Sequence, residues 1–207
     1  MRASKRPLLI GITGNIGSGK STFCRLLERE GEKVFYADRV AAKYLQLLKD
    51  VWVERWGEHV LREGALDKRK IAAIVFNDPI QLEYLNSRIH PLVLQEFQSI
   101  VETSLETELY FEIPLLFETN LQACFDFAIL IQVDPEILIK RVVRRDKARH
   151  EDIVKLLAAQ MPDAQKVGLA DLVIDNSGKE KALRLQLLKF LGTVGKIPRR
   201  EVQAFYQ

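Results

Sequence analysis

The sequence predicts an α/β fold, a five-stranded parallel sheet flanked by helices, with a helical insertion after the second strand. Three observations carry this expectation. Short, nearly continuous apolar runs alternate with helical spacing along the first and last thirds of the chain. A glycine-rich loop joins the first run to the first helix. The stretch from Asp38 to Glu108 holds helix signals and no convincing strand, far more chain than a crossover between parallel strands requires.

Taken in order, Leu8 to Thr13 reads as a strand buried on both faces. Lys20 to Glu30 switches to helical spacing, with Phe23, Leu26 and Leu27 on one face and Gly31 as its stop. Lys33 to Ala37 is the second strand. In the long stretch that follows, Asp67 and Asp78 can cap helices, Pro79 suits a first helical position, and Leu82, Leu85 and Ile89 recur at spacings of three and four. Leu109 to Ile113, Phe127 to Val133 and Leu172 to Ile174 complete the sheet. The tail after Gly192, basic at Lys196, Arg199 and Arg200, is expected to fray.

Composition narrows the function classes. Of 207 residues, 47% are apolar and 29% charged, the balance of an ordinary water-soluble globular chain. A net charge of +3 is too mild to indicate nucleic-acid binding from bulk charge. Only Cys24 and Cys124 occur, which excludes a disulfide scaffold and predicts buried, reduced thiols. Arg2, Lys5 and Arg6 before Leu8 to Thr13 imitate a secretory signal, but the apolar run is short, lacks a small-residue cleavage site and leads into a polar loop. No run approaches the roughly 20 apolar residues of a membrane span, so a cytoplasmic location is expected.

The strongest motif is Gly14-Asn15-Ile16-Gly17-Ser18-Gly19-Lys20-Ser21, which fills G-x-x-x-x-G-K-[ST] between a predicted strand and a predicted helix. Its glycines let successive backbone N–H groups turn toward an anion, and the helix amino terminus adds partial positive charge. Lys20 is suited to the β- and γ-phosphates of a nucleotide and the Ser21 hydroxyl to magnesium. No Asn-Lys-x-Asp guanine-reading stretch is present. Asp175-Asn176-Ser177-Gly178 spells D-x-x-G, but after the last strand, where it reads as a turn or part of a base pocket. Asp134 ends an apolar strand as a magnesium-associated acid does, while Pro135 immediately after it marks a helix cap.

Asp38 lies beyond the carboxyl end of the second strand, on the side of an open α/β sheet where ligands sit. Two readings stand there: a carboxylate that takes the proton of an attacking hydroxyl, or a cap for the helix that follows. Lys140, Arg141, Arg144, Arg145, Lys147 and Arg149 form a cationic run with the single acid Asp146. On a helix, residues 141, 144 and 145 share a face, which fits either a polyphosphate-closing lid or a solvated surface.

Blocks across nearly the whole chain resemble the dephospho-coenzyme A kinase family. They are Leu9 to Thr22, the Tyr36-Ala37-Asp38 step, Leu85-Asn86-Ser87-Arg88-Ile89-His90-Pro91-Leu92-Val93, Ile113-Pro114-Leu115-Leu116-Phe117-Glu118, the Lys140-Arg141 to Arg145-Asp146 stretch, Ala158-Ala159-Gln160, and Ala170-Asp171 through Gly178. The resemblance implies an adenylate-kinase-like P-loop domain over 1–207, with its core at about 7–38, 109–140 and 166–192. A helical coenzyme A insertion at about 39–108 and a lid at about 141–165 complete it. It implies transfer of the ATP γ-phosphoryl group to the ribose 3′-hydroxyl of dephospho-coenzyme A, giving coenzyme A and ADP, the final step of coenzyme A synthesis.

By that resemblance, Gly14, Asn15, Ile16, Gly17, Ser18, Gly19, Lys20, Ser21, Thr22, Asn176 and Gly178 bind ATP, with Mg2+ at Ser21. Asp38 is the base, and Lys20, Arg141 and Arg145 assist transfer. Asp38, Arg69, Leu85, His90, Pro91, Pro114 and Leu115 bind the acceptor. ATP and dephospho-coenzyme A are the implied partners, with no nucleic acid, membrane or obligate protein partner. Departures from the family pattern are Tyr36 in place of a second acid, Asn15 where many members have glycine, Lys68 beside Arg69 for an arginine, and His150 beside Arg149 for another. The alternatives are a kinase of another nucleotide or nucleoside, and a P-loop regulatory module.

Overall fold

The computed structural model describes residues 6–147, 149–158 and 160–206. Arg2, Lys5 and Ala159 lie outside the described residues, as does the side chain of Asp146. The chain divides into two compact units, Met1–Tyr36 with Thr103–Ala204, and Ala37–Glu102 with Phe205–Gln207.

The first unit is built on a five-stranded sheet. Its strands are β1 (Leu8–Thr13), β2 (Val34–Tyr36), β5 (Glu108–Glu112), β6 (Phe127–Gln132) and β7 (Leu172–Asp175); β3 (Leu61–Arg62) and β4 (Ala65–Leu66) belong to the second unit. The spatial order is β2-β5-β1-β6-β7, with every pair parallel. β1 is central, which is why all six of its residues are buried and why it reads as a continuous apolar run. Helix α1 (Lys20–Arg29) buries Phe23, Cys24, Leu26 and Leu27, and α9 (Glu180–Val194) buries Leu183, Leu187 and Phe190. Both sets join one core cluster with the sheet. Gly31, at φ +97, ends α1 with Glu32 N–H donating to Leu27 O at 3.1 Å and Gly31 N–H to Glu28 O at 3.2 Å, the left-handed stop that its sequence position predicts. Cys24 and Cys124 are buried free thiols.

Helices α6 (Pro135–Asp146), α7 (His150–Ala158) and α8 (Asp163–Leu169) complete the first unit. Leu138, Val142 and Ile153 form a second core cluster with Val133, against which Ile16 of the glycine-rich loop also packs.

The second unit holds α2 (Ala37–Leu47), α3 (Lys49–Trp56), β3 (Leu61–Arg62), β4 (Ala65–Leu66), α4 (Lys68–Val75) and α5 (Pro79–Thr103), the last residue of α5 falling in the first unit. Asp67 and Asp78 act as the caps their sequence positions predict, accepting from Arg69 N–H and Ile80 N–H, each at 2.9 Å. Trp52 is fully buried, with Trp56 stacked on it at 5.4 Å and Tyr84 edge-on to both. The expectation of no strand here is corrected by the antiparallel pair β3–β4. Each strand has only two residues, too few for an apolar alternation to register, and the turn is made by Glu63 and Gly64 at φ +52 and +80.

A fraying tail is not what the structure shows. Asp126, whose side chain has no exposed surface, accepts from Arg6 Nη1 at 2.6 Å, Arg6 Nη2 at 2.8 Å, Leu9 N–H at 2.9 Å and Arg200 N–H at 2.6 Å. Arg200 also pairs with Asp171, and Gln203 N–H donates to Ala123 O at 2.9 Å. In the second unit, Phe205 is buried edge-on to Phe97 and its N–H donates to Gln98 Oε1. A buried carboxylate needs this full set of donors, and the donors come from residues remote in sequence.

Candidate active site

The glycine-rich loop spans the gap between the end of β1 and the start of α1. Gly14, Gly17 and Gly19 have φ of +149, +78 and +94, the region that side chains rarely adopt. Space alone would also require glycine there. A Cβ at Gly14 would overlap the Ile131 carbonyl, one at Gly17 the Val142 side chain, and one at Gly19 the Asn176 amide. The loop is thus pressed against β6, α6 and the segment after β7. Gly19 is also the N-cap of α1 and brings no side-chain acceptor to that helix end, the kind of terminus that suits an anion, and Thr22 N–H donates to Gly19 O at 2.9 Å.

Lys20 folds back over the loop, its Nζ donating to Gly14 O at 2.6 Å and Asn15 O at 3.2 Å. Ser18 N–H donates to Asn15 O at 3.1 Å, while the buried Ser18 hydroxyl has no protein partner. Ser21 stands exposed in the first turn of α1, and the Thr22 hydroxyl accepts from Arg25 at 3.1 Å.

Asn176 is nearly buried, and its Nδ2 donates to Ser18 O at 2.7 Å. It sits in a turn closed by Asp175, whose Oδ1 accepts from Ser177 N–H at 2.9 Å and Ser177 Oγ at 2.6 Å. The turn reading of residues 175–178 therefore holds, with Gly178 exposed at its end. Ser177 Oγ in turn accepts from Asp134 N–H at 2.9 Å. The Asp134 carboxylate caps α6, accepting from Glu136 and Ile137 N–H at 2.9 and 3.2 Å.

Of the cationic run, Arg141 is half-buried on α6, and Arg144 and Arg145 are exposed. Arg141 is next in sequence to Val142, whose side chain lies against Gly17. Lys140 pairs with Glu136 at 3.6 Å on the surface, a contact worth little. On the far side of β1, Thr13 Oγ1 donates to Pro114 O at 3.1 Å, and Leu115 beyond it is exposed.

The remaining sequence-predicted residues belong to the second unit. Asp38 is exposed and is the second residue of α2, within its first turn. That position is inside the helix, which corrects the N-cap reading. Arg69 is exposed in the first turn of α4, and Leu85, His90 and Pro91 lie on α5. Partial burial lowers the His90 pKa.

The sequence reading missed a cluster beside the loop. Lys166, on α8, is fully buried and donates from Nζ to Asn15 Oδ1 and to Glu118 Oε1, each at 2.7 Å. Asn15 Nδ2 donates to Asp163 Oδ1 at 2.6 Å, and Ile16 N–H to Gln160 Oε1 at 3.1 Å. Burial raises the Asp163 pKa, against the nearby Lys166 charge. Lys166 stands in a seven-residue helix between Gln165 and Val167, and no local pattern distinguishes it from a surface lysine.

The dephospho-CoA kinase family model matches residues 8–182. A Leptospira interrogans protein named dephospho-CoA kinase is 39% identical, covering 93% of this chain and 95% of its own. A Helicobacter pylori protein of that name is 34% identical, covering 89% and 96%. Among solved structures, a dephospho-CoA kinase from Campylobacter jejuni is 26% identical with a TM-score of 0.68, covering 91% of this chain and 97% of its own. A shikimate kinase from Acinetobacter baumannii, 17% identical with a TM-score of 0.51, shares the fold. With its loop, sheet order and matched span together, the chain belongs to the dephospho-CoA kinase family.

Proposed function

We propose that the protein transfers the γ-phosphoryl group of ATP to the ribose 3′-hydroxyl of dephospho-coenzyme A, giving coenzyme A and ADP. The observation that carries this reading is the glycine-lined loop, held open against β6, α6 and Asn176 at the amino terminus of α1, in a chain whose family is named for that substrate. The loop N–H groups and the α1 terminus bind phosphate oxygens. Lys20, already folded over the loop carbonyls, moves its charge onto the β- and γ-phosphates. Asn176 and Gly178 border the base.

The exposed Ser21 hydroxyl in the first turn of α1 fits Mg2+, which takes one or two protein ligands and completes its shell with substrate phosphates and water. When bound with ATP, the ion neutralises charge on the β- and γ-oxygens. Asp38 accepts the proton of the 3′-hydroxyl. Arg141 and Arg145, on a lid over residues 141–165, supply positive charge where it is needed in transfer. The insertion at 39–108 binds the acceptor, with Arg69, Leu85, His90 and Pro91, and Pro114 and Leu115 contribute from beyond β5. The reaction takes place in the cytoplasm. Among the described residues no helix is long and apolar enough to cross a membrane.

The test is ADP release from ATP and magnesium with and without dephospho-coenzyme A. The reading requires turnover that depends on this acceptor. A nucleotide-dependent conformational change without acceptor-dependent ADP would instead indicate a regulatory module.

A further inference from the structure

We propose that Lys166 is a positioning residue for phosphoryl transfer, its buried ammonium clamping Asn15 of the phosphate loop and Glu118 beyond β5 onto α8. The inference rests on the kinase reading above and adds a residue that acts through Asn15 of the loop. Lys166 is the one lysine among the described residues with a fully buried side chain, and burying an ammonium is costly unless it is paired and hydrogen-bonded. Its partners are not distributed at random. One is the side chain of Asn15, inside the loop, and the other is Glu118 Oε1.

Asn15 is the hub. Its side chain is held from both ends, Oδ1 by Lys166 and Nδ2 by Asp163 Oδ1, so the amide cannot rotate without losing both bonds. Its backbone carbonyl accepts from Lys20 Nζ and from Ser18 N–H. The next residue, Ile16, is held through its N–H by Gln160 Oε1. Glu118 Oε1 also accepts from Met161 N–H at 3.3 Å, which ties the same short segment a second time. Two consecutive loop residues are therefore fixed by residues 160–166, across separations of 144 to 151 positions. A loop whose affinity depends on several N–H groups facing one anion loses affinity when its backbone is free to relax. The clamp keeps the loop in its anion-binding shape before nucleotide arrives.

The experiment is a double-mutant cycle on the full chain with Asn15→Ala, Lys166→Met and the pair, reading ATP affinity by calorimetry without acceptor, and kcat and KM by ADP release. Asn15→Ala leaves Lys166 its Glu118 partner and so gives a folded single variant even if Lys166→Met does not fold; Lys166→Arg serves as the conservative rescue. Each single change should weaken ATP binding by about tenfold, the scale of one charge-assisted hydrogen bond. The pair should be no weaker than the worse single, because both break one clamp. KM for dephospho-coenzyme A should stay within about twofold, and Lys166→Arg should recover part of the ATP affinity. Losses confined to thermal stability, or Asn15→Ala binding ATP as the wild type does, would overturn the proposal. Wild-type ATP binding without turnover of dephospho-coenzyme A would count against the function and leave the clamp intact.

Discussion

Replacing Gly19 by alanine isolates what the loop geometry costs and what it protects. The residue is at φ +94, where a side chain costs roughly 1–2 kcal/mol. An added Cβ would also overlap the Asn176 amide, which is nearly buried and donates to Ser18 O at 2.7 Å. Moving that amide aside forfeits a hydrogen bond and strands a buried polar group, about 1–3 kcal/mol more. The sum is a destabilisation of about 2–5 kcal/mol. Gly31→Ala is the internal control, since Gly31 has nearly the same φ, +97, and nothing within 4 Å of an added Cβ. It should show the strain alone, about 1–2 kcal/mol, and bind ATP normally. Urea unfolding, with both variants keeping the wild-type slope, measures the difference, and calorimetry measures ATP affinity. Equal midpoints for the two variants, or wild-type ATP affinity in Gly19→Ala, would refute the reasoning.

Asp38→Asn should keep fold and ATP binding while lowering turnover about a hundredfold to ten-thousandfold, the range of a lost general base; steady-state kinetics with a thermal melt checks both. Asp126→Asn should cost about 3 kcal/mol at neutral pH, because the amide cannot accept from both nitrogens of Arg6. Burial alone raises the Asp126 pKa, but the hydrogen bonds from Arg6, Leu9 and Arg200 outweigh it and hold it below the usual carboxylate value. A lowered folded-state pKa contributes stability above the unfolded value near 3.9 that disappears as pH falls through the folded one, so the gap between wild type and Asp126→Asn should close below about pH 4. Phe205→Ala should cost about 3 kcal/mol in urea unfolding, as a buried aromatic does; a frayed tail would cost nothing.

What the sequence discloses is what local chemistry determines. The phosphate loop, the stop at Gly31, and the caps at Asp67, Asp78 and Asp134 each act over a few residues, and each is readable as a short pattern. β1 is readable because a central parallel strand must be apolar on both faces. Lys166 is not: its burial depends on Asn15, 151 positions away, and on Glu118. The anchored tail is hidden for the same reason, because Arg200 meets Asp126 through its N–H and Asp171 through its guanidinium, acids one residue before β6 and β7 whose places only the folded sheet defines. Asp38 shows a second limit. An acid after a strand and before a helix fits the pattern of a cap, and only the helix start at Ala37 places it two residues inside the cap position.

The central claim is the identity of the acceptor and of the hydroxyl phosphorylated. The direct measurement compares kcat/KM for dephospho-coenzyme A with that for AMP and adenosine, and locates the new phosphate in the product by 31P–1H correlation. The account predicts a strong preference for dephospho-coenzyme A, since binding of its remote pantetheine arm orients the ribose for transfer, and a phosphate coupled to the ribose H3′. Equal efficiency with AMP, or phosphate on another oxygen, would contradict it.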